Sequence, residues 1–256
     1  MNNKILTLVS VGAHPTSGRA RRAEQDARAV ELGLALAGDA LEVLHVGDVA
    51  EPALREYLGM GLHSLQVLEQ PAGADALPAL VEYLRTAGVQ VVLAGSQAET
   101  GEGSGLLPYL LGEHLGWPVV TGLAQVERIE NGVARVLQAL PRGQRRRLSV
   151  RLPMVATVDS AAPKARQSAY GPAQRGALQP HEVEVVADEL LQAATLQPAK
   201  PRPKRLKVIK AKSGADRMKA ATAKATGGGG QVLEGVSAQE GAQAILKLLV
   251  EEGVLR

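Results

Sequence analysis

The 256-residue sequence has no cysteine and no phenylalanine, one tryptophan (Trp117) and four tyrosines. Without thiols there is no disulfide, no thiolate metal ligand and no cysteine nucleophile, which suits a reducing cytoplasm, the expected location. With aromatics at 2% of residues, the core must be filled by Leu, Val and Ala. No apolar run approaches the roughly 20 residues a membrane helix needs, and the opening MNNKILTLVSVGAHP is too short and interrupted for a signal peptide, so no membrane insertion is expected. The histidines His14, His45, His63, His114 and His181 are scattered, with no HxxxH or HExxH pair, so no metal site is expected. There is no GxSxG elbow. Ser10 and Ser96 read as hydrogen-bonding loop residues, and Asp26, Glu31, Glu99, Glu102 and Glu113 as helix-surface carboxylates. No catalytic residue is assigned.

What is present is unevenly distributed charge. Of 29 basic and 26 acidic residues, ten basic residues and one acid, Asp216, lie between Lys200 and Lys224, leaving 19 basic against 25 acidic elsewhere. That segment also carries Pro201 and Pro203 and runs into Gly227 to Gly230, a composition that resists regular structure. It reads as an extended arm. Without interleaved aromatics to stack bases, nucleic acid is not the expected partner; a solvated linker or an arm lying on an acidic partner surface fits the composition better.

Strand-like runs at Lys4 to Val11, Leu41 to Gly47, Leu65 to Leu68 and Val89 to Gly95 alternate with helical patterns at Ala23 to Ala37, Ala50 to Met60 and Ala76 to Ala87, the last closed by Gly88. Such alternation predicts an α/β domain with a doubly wound, mostly parallel sheet. After Trp117-Pro118, VVTGLAQVERI, GVARVLQAL and RRLSVRL, divided by Asn131-Gly132 and Pro141-Arg142-Gly143, read as added antiparallel strands, with PMVATV returning to the sheet. HEVEVVADELLQ adds a short element. SAQEGAQAILKLLVEEG opens with a capping box, Ser237 and Glu240, presents Ile245, Leu248 and Leu249 on one face, and stops at Gly253. The expected division is residues 1–190, a nucleotide-binding domain, and 191–256, the basic C-terminal arm and terminal helix.

Ligands of such sheets collect beyond the carboxyl ends of the strands, at the switch in strand order. Gly12, Gly47, Gly95, Gly101, Gly103 and Gly105 follow predicted strands there. Ser104 could cap a helix starting near Gly105 or Leu106, turning its first amides toward an anion. The loop is neither a Walker loop nor a GxGxxG fingerprint, so a nucleotide held in another way is expected, such as AMP. A glycine-rich turn made only for tightness remains the other reading.

Three stretches carry a family resemblance: GSQAETGEGSGLLPYLLGEHLGWP with its Gly-x-Gln-Ala and Leu-Gly-Trp-Pro blocks, VLHVGDVAEPALREYLGMGLHSLQVL, and RLPMVATV. With DARAVELGLALAG and the C-terminal EGVSAQEGAQAILKLLVEEGVL, they resemble the electron transfer flavoprotein β subunit family, which includes the FixA-type proteins, over nearly the whole length. The resemblance implies a Rossmann-like fold of the adenine nucleotide α-hydrolase type and a heterodimer with an α subunit that holds most of an FAD. It further implies a structural AMP in β, reduction by a flavin-linked dehydrogenase, and delivery to a quinone reductase or other acceptor, the chain being a carrier rather than an enzyme. It assigns nucleotide contacts to Ser10, Val11, Gly12, Val46, Gly47, Gln97, Ser104, Gly105 and Leu106, and partner contacts to Tyr170, Arg175, Lys204 and Arg205. Where relatives carry an acidic DGG-x-E patch, this sequence has Arg142 to Arg147, RGQRRR. The alternatives are a stand-alone adenine-nucleotide-binding module of the universal-stress type and a bifurcating-type subunit with a second FAD in place of AMP.

Overall fold

The apolar run after Lys4 forms β1 (Ile5–Val9), every residue buried, in a computed structural model that describes residues 3–101, 103–195, 197, 213–216, 218 and 233–251. The chain divides into two compact units, Met1–Leu196 and Gln197–Arg256. In the first, β4 (Glu42–Gly47), β5 (Ser64–Glu69), β6 (Val91–Gly95) and β10 (Met154–Val158) follow the expected runs. β1 pairs in parallel with β4 on one side and β6 on the other, so the order of connection reverses between β1 and β6. Among the described residues the sheet has nine strands, ordered β11-β5-β4-β1-β6-β10-β7-β8-β9. β11 is Ala177–Glu182, β7 Val119–Glu130, β8 Val133–Ala139 and β9 Arg145–Arg151. The doubly wound, mostly parallel α/β expectation holds: only the β7-β8 and β8-β9 pairs of this sheet are antiparallel.

Alternation along each buried strand divides the core into two layers. Ile5, Val9, Val91, Leu93, Met154 and Ala156 face one layer, shared with Val30 of α1 (Glu24–Ala37) and with Tyr57 and Leu58 of α2 (Leu54–Leu58). Leu6, Leu8, Val92 and Val155 face the other, shared with Leu80 and Leu84 of α3 (Ala76–Thr86) and Leu111 of α4 (Leu107–Leu115). Asp75 caps α3 by accepting from Leu77 N at 2.9 Å, and Gly88, at φ +66°, supplies the left-handed residue past its end. β10 does return to the sheet, between β6 and β7.

Three expectations need correction. The run Lys4 to Val11 breaks at Ser10: Val11–Ala13 is a separate strand, β2, paired antiparallel with β3 (Ala20–Arg22) in a small hairpin. The Ala50 to Met60 helix shrinks to the single turn of α2, because Pro52 removes an amide and Asp48 and Glu51 bond to the backbone of Ala50 and Ala53 instead. The element after Gly176 begins earlier than read, as β11, and pairs in parallel with β5 at the sheet edge. Among the described residues this unit also has the short α-helices α5 (Tyr170–Arg175) and α6 (Glu189–Ala193).

In the second unit, α7 (Ala238–Glu251) carries the capping box read from the sequence: Ser237 N and Oγ donate to Glu240 Oε2, each at 2.8 Å, and Glu240 N donates to Ser237 Oγ at 3.3 Å. Its expected stop, Gly253, lies outside the described residues.

Leu111 is completely buried at the interface of α4 with the sheet. Leu111→Ala is expected to lower unfolding free energy by about 2–5 kcal/mol in urea titrations. A loss below about 1 kcal/mol would show that α4 is not seated as described.

Candidate functional site

The ends of β1 and β6 are held by one carboxylate. Asp26, on the first turns of α1, accepts from Ser10 N at 2.7 Å and Ser10 Oγ at 2.5 Å through Oδ2, and from Gly95 N at 3.0 Å through Oδ1. The sequence reading as a helix-surface acid is wrong here: Asp26 is 6% exposed. Burial raises its pKa from the ordinary 3.8 to about 6, against the hydrogen bonds from Ser10 and Gly95, which lower it. Tyr57 continues the network, accepting from Ala23 N and donating to Ser10 O, both at 2.8 Å. All three polar groups of Ser10 are therefore engaged within the chain.

The other expected nucleotide contacts surround this point. His45 Nδ1 lies 2.9 Å from Val9 O, and burial lowers the pKa of its ring. Val46 packs partly buried on the α3-side core. Gly47 sits at φ +148°, where a Cβ would stand 2.8 Å from His45 Nε2. Val11 O accepts from Thr100 Oγ1 at 2.7 Å. A Cβ on Gly12 would lie 2.6 Å from Glu99 Oε2.

Glu99 is not a helix-surface group either. It reaches from the Gly95–Leu106 loop to accept from Glu24 N at 2.7 Å, Ala13 N at 3.2 Å and Arg21 Nη2 at 3.1 Å. Through Glu99 and Thr100 the structure joins the loop to Val11, Gly12 and the start of α1. Within the loop, Gln97 Nε2 donates to Gly103 O. Gly105, at φ +73°, has no room for a Cβ, which would meet Ser96 O at 2.7 Å.

Ser104 does not cap α4. The helix starts at Leu107 with Leu106 as N-cap and no side-chain cap; Ser104 Oγ instead accepts from Leu106 N at 3.2 Å, a local turn one step ahead. Pro108, in the first turn of α4, has no amide to offer.

Tyr170 stands 81% exposed at the start of α5, and Arg175 is exposed at its end. Lys204 and Arg205 lie outside the described residues.

Sequence reasoning missed a cleft of about 280 Å³ beside this rim, faced by Arg21, Arg22, Arg28 and Lys164 with Glu24 and Glu56. The signal was the run GRARR directly ahead of an acidic helix start. Arg28 is 7% exposed and anchors the segment after β10 through Ser160 O at 3.1 Å and Ala162 O at 2.8 Å. Farther along α1, Glu31 takes both guanidinium ends of Arg166, at 2.8 and 2.9 Å, which lowers its pKa. At the far sheet edge, arginines of the RGQRRR run are paired: Arg147 with Glu127 at 2.8 Å and Arg146 with Gln138 Oε1 at 2.6 Å. Among the described residues no group of three His, Asp or Glu could hold a metal ion, and no helix is long and apolar enough to cross a membrane.

The family model of the electron transfer flavoprotein domain matches residues 16–191. The chain belongs to the electron transfer flavoprotein family. Within it, the chain is 58% identical to the electron transfer flavoprotein subunit beta of Chromohalobacter salexigens, over 99% of this chain and 96% of that protein. The match to the family model takes in the β2-β3 hairpin from its turn onward, Asp26, the whole Gly95–Leu106 loop and α5. The similarity to the Chromohalobacter salexigens subunit also covers the basic C-terminal segment.

Asp26 carries a testable sign. Its pKa is higher in the folded chain, so between about 3.8 and about 6 the folded chain holds a proton that the unfolded chain has released. Its contribution to stability is therefore greatest below that window and falls as pH rises through about 6. Glu31 acts in the opposite sense, its contribution being lost as pH falls. The stability of wild type relative to Asp26→Asn is expected to decline by up to roughly 3 kcal/mol from pH ~4 to pH ~7. Denaturant titrations giving a pH-independent difference would refute this account of Asp26.

Proposed function

We propose that the chain is the β partner of a heterodimer whose α subunit carries most of the contacts to an FAD, and that the pair takes electrons from a flavin-linked dehydrogenase and passes them to a quinone reductase or another acceptor. The observation that carries this reading is the similarity along nearly the full length of both chains to a protein named as a subunit beta. FAD supplies the redox chemistry when bound; the chain itself offers surfaces and a nucleotide rim rather than a reacting side chain.

Two features support a partner. The apolar residues Ile245 and Leu248 of α7 are 61% and 55% exposed, on a helix whose start is fully capped, and a short amphipathic helix needs a docking surface to be stable. The basic segment ahead of it, including Lys204 and Arg205, suits an acidic companion surface. Tyr170, with Arg175 behind it, stands out far enough to anchor a client dehydrogenase.

The same reading gives β a structural AMP at the rim, contacted by Ser10, Val11, Gly12, Val46 and Gly47 and by the loop. The loop's donors are the Ser104 hydroxyl and the amides of Ser104, Gly105 and Leu106. The last now makes a 3.2 Å bond to Ser104 Oγ, near the long end of the normal range. Gln97 steadies the loop through Gly103 O.

Co-expression with the α subunit, release of bound nucleotides and their chromatographic quantification test the whole reading: FAD and AMP are each expected at one per heterodimer. Ser104→Asp places a carboxylate against the phosphate and is expected to cut AMP content at least tenfold with FAD retained. Unchanged AMP would move the site elsewhere. Removing residues 201–256 is expected to abolish co-purification of α; an intact complex would remove the role given to the arm.

A further inference from the structure

The cleft beside the rim gathers four cations, of which Arg22 and Lys164 make no ion pair among the described residues. β3, the first turn of α1, Glu56 of α2 and the segment after β10 bring Arg21, Arg22, Arg28 and Lys164 to face about 280 Å³ of space. Three carboxylates answer part of that charge: Glu24 and Glu56 in the lining, and Glu99 on Arg21 at 3.1 Å. Glu24 makes one long contact, 3.4 Å to Arg28 Nη2, and its side chain is 65% exposed. Glu56 Oε2 accepts from the backbone amide of Arg22, at 3.1 Å.

The guanidinium groups are already positioned. Arg28 is held by two carbonyls. Arg21 is held through Nε on Ala13 O at 3.3 Å and Nη2 on Glu99. Arg22 Nη2 donates to Arg166 O at 2.8 Å, while its Nη1 is buried and finds no acceptor among the described residues. Lys164, exposed at the mouth, makes no ion pair among the described residues. Arg22 Nη1 is sealed from solvent and does not open into the cleft, whereas Lys164 is an exposed cation of its lining.

We infer that this cleft is a binding site for the phosphoryl group of a small molecule, free phosphate or a phosphomonoester, distinct from the Ser104–Leu106 loop. Planar guanidinium forks match phosphate oxygens and a lysine adds a mobile point charge. The cleft, about 280 Å³ and open to solvent on one side, admits a phosphate group. Phosphate reads the cations alone; AMP, as a phosphomonoester probe, adds whatever the walls contribute.

The test is calorimetric titration of the full-length protein, in the assembly in which it purifies, with inorganic phosphate and separately with AMP in phosphate-free buffer. Saturable one-to-one binding of phosphate is expected. Lys164→Glu, at an exposed position, should weaken it at least tenfold without changing the melting temperature. Arg22→Gln should do the same, with circular dichroism confirming its fold. Equal affinity for the two probes identifies a phosphate site, and tighter AMP binding that is also lost in Lys164→Glu identifies a phosphomonoester site. Ser104→Asp should leave cleft binding unchanged, so failure of the rim assignment and failure of this one are read separately. Absence of saturable binding for both probes, or binding unmoved by Lys164→Glu, overturns the inference.

Discussion

The rim of this sheet depends on a carboxylate taken out of water. β1 and β6 are neighbours whose onward connections lead to opposite sides of the sheet, so nothing in the chain path itself holds the segments that follow them together. Asp26 does, with one oxygen on Ser10 and the other on Gly95. The buried charge is costly, which is why its pKa rises to about 6 even with three donors in place. The same closeness dictates the neighbouring residue: a Cβ on Gly95 would lie 2.2 Å from Asp26 Oδ1.

A second carboxylate extends this arrangement outward. The N-cap of α1 is Ala23, which has no side chain to cap with, and Glu99 supplies the missing acceptor from 75 residues away by taking Glu24 N. An anion at a helix start is favoured by the unpaired amides and the helix dipole. Here the anion belongs to the loop, so the order of that loop and the start of α1 are one event. The β2-β3 hairpin joins them through Ala13 N and Arg21, and in doing so delivers Arg21 and Arg22 to the cleft.

The architecture was legible in the sequence because its signals are local and redundant. Near-continuous apolar runs gave β1, β4 and β6, helical spacing with Gly88 gave α3, Asn131-Gly132 gave the turn between β7 and β8, and Ser237 with Glu240 gave the start of α7. The hairpin of β2 and β3 was not legible, since three-residue strands around a Pro-Thr-Ser-Gly turn carry no periodicity. Nor were the roles of Asp26 and Glu99: each is an acid near a helix start in sequence, and only strand order brings Ser10 and Gly95 to one and Glu24 to the other. Ser104 was misplaced for a simpler reason. A serine ahead of a helix fits either a cap or a local turn, and Pro108 shifts the helix start to Leu107 and decides for the turn.

Glycine and charge then carry different information about this surface. Gly12, Gly47, Gly95 and Gly105 each exclude a Cβ because a protein atom stands within 2.8 Å of where it would be, so their presence follows from packing of Glu99, His45, Asp26 and Ser96. A glycine-rich rim is therefore what this fold requires with or without a ligand. Unmatched charge is not explained in that way. Arg22 and Lys164 make no ion pair among the described residues, yet the hairpin and the segment after β10 bring both to the lining of one cleft.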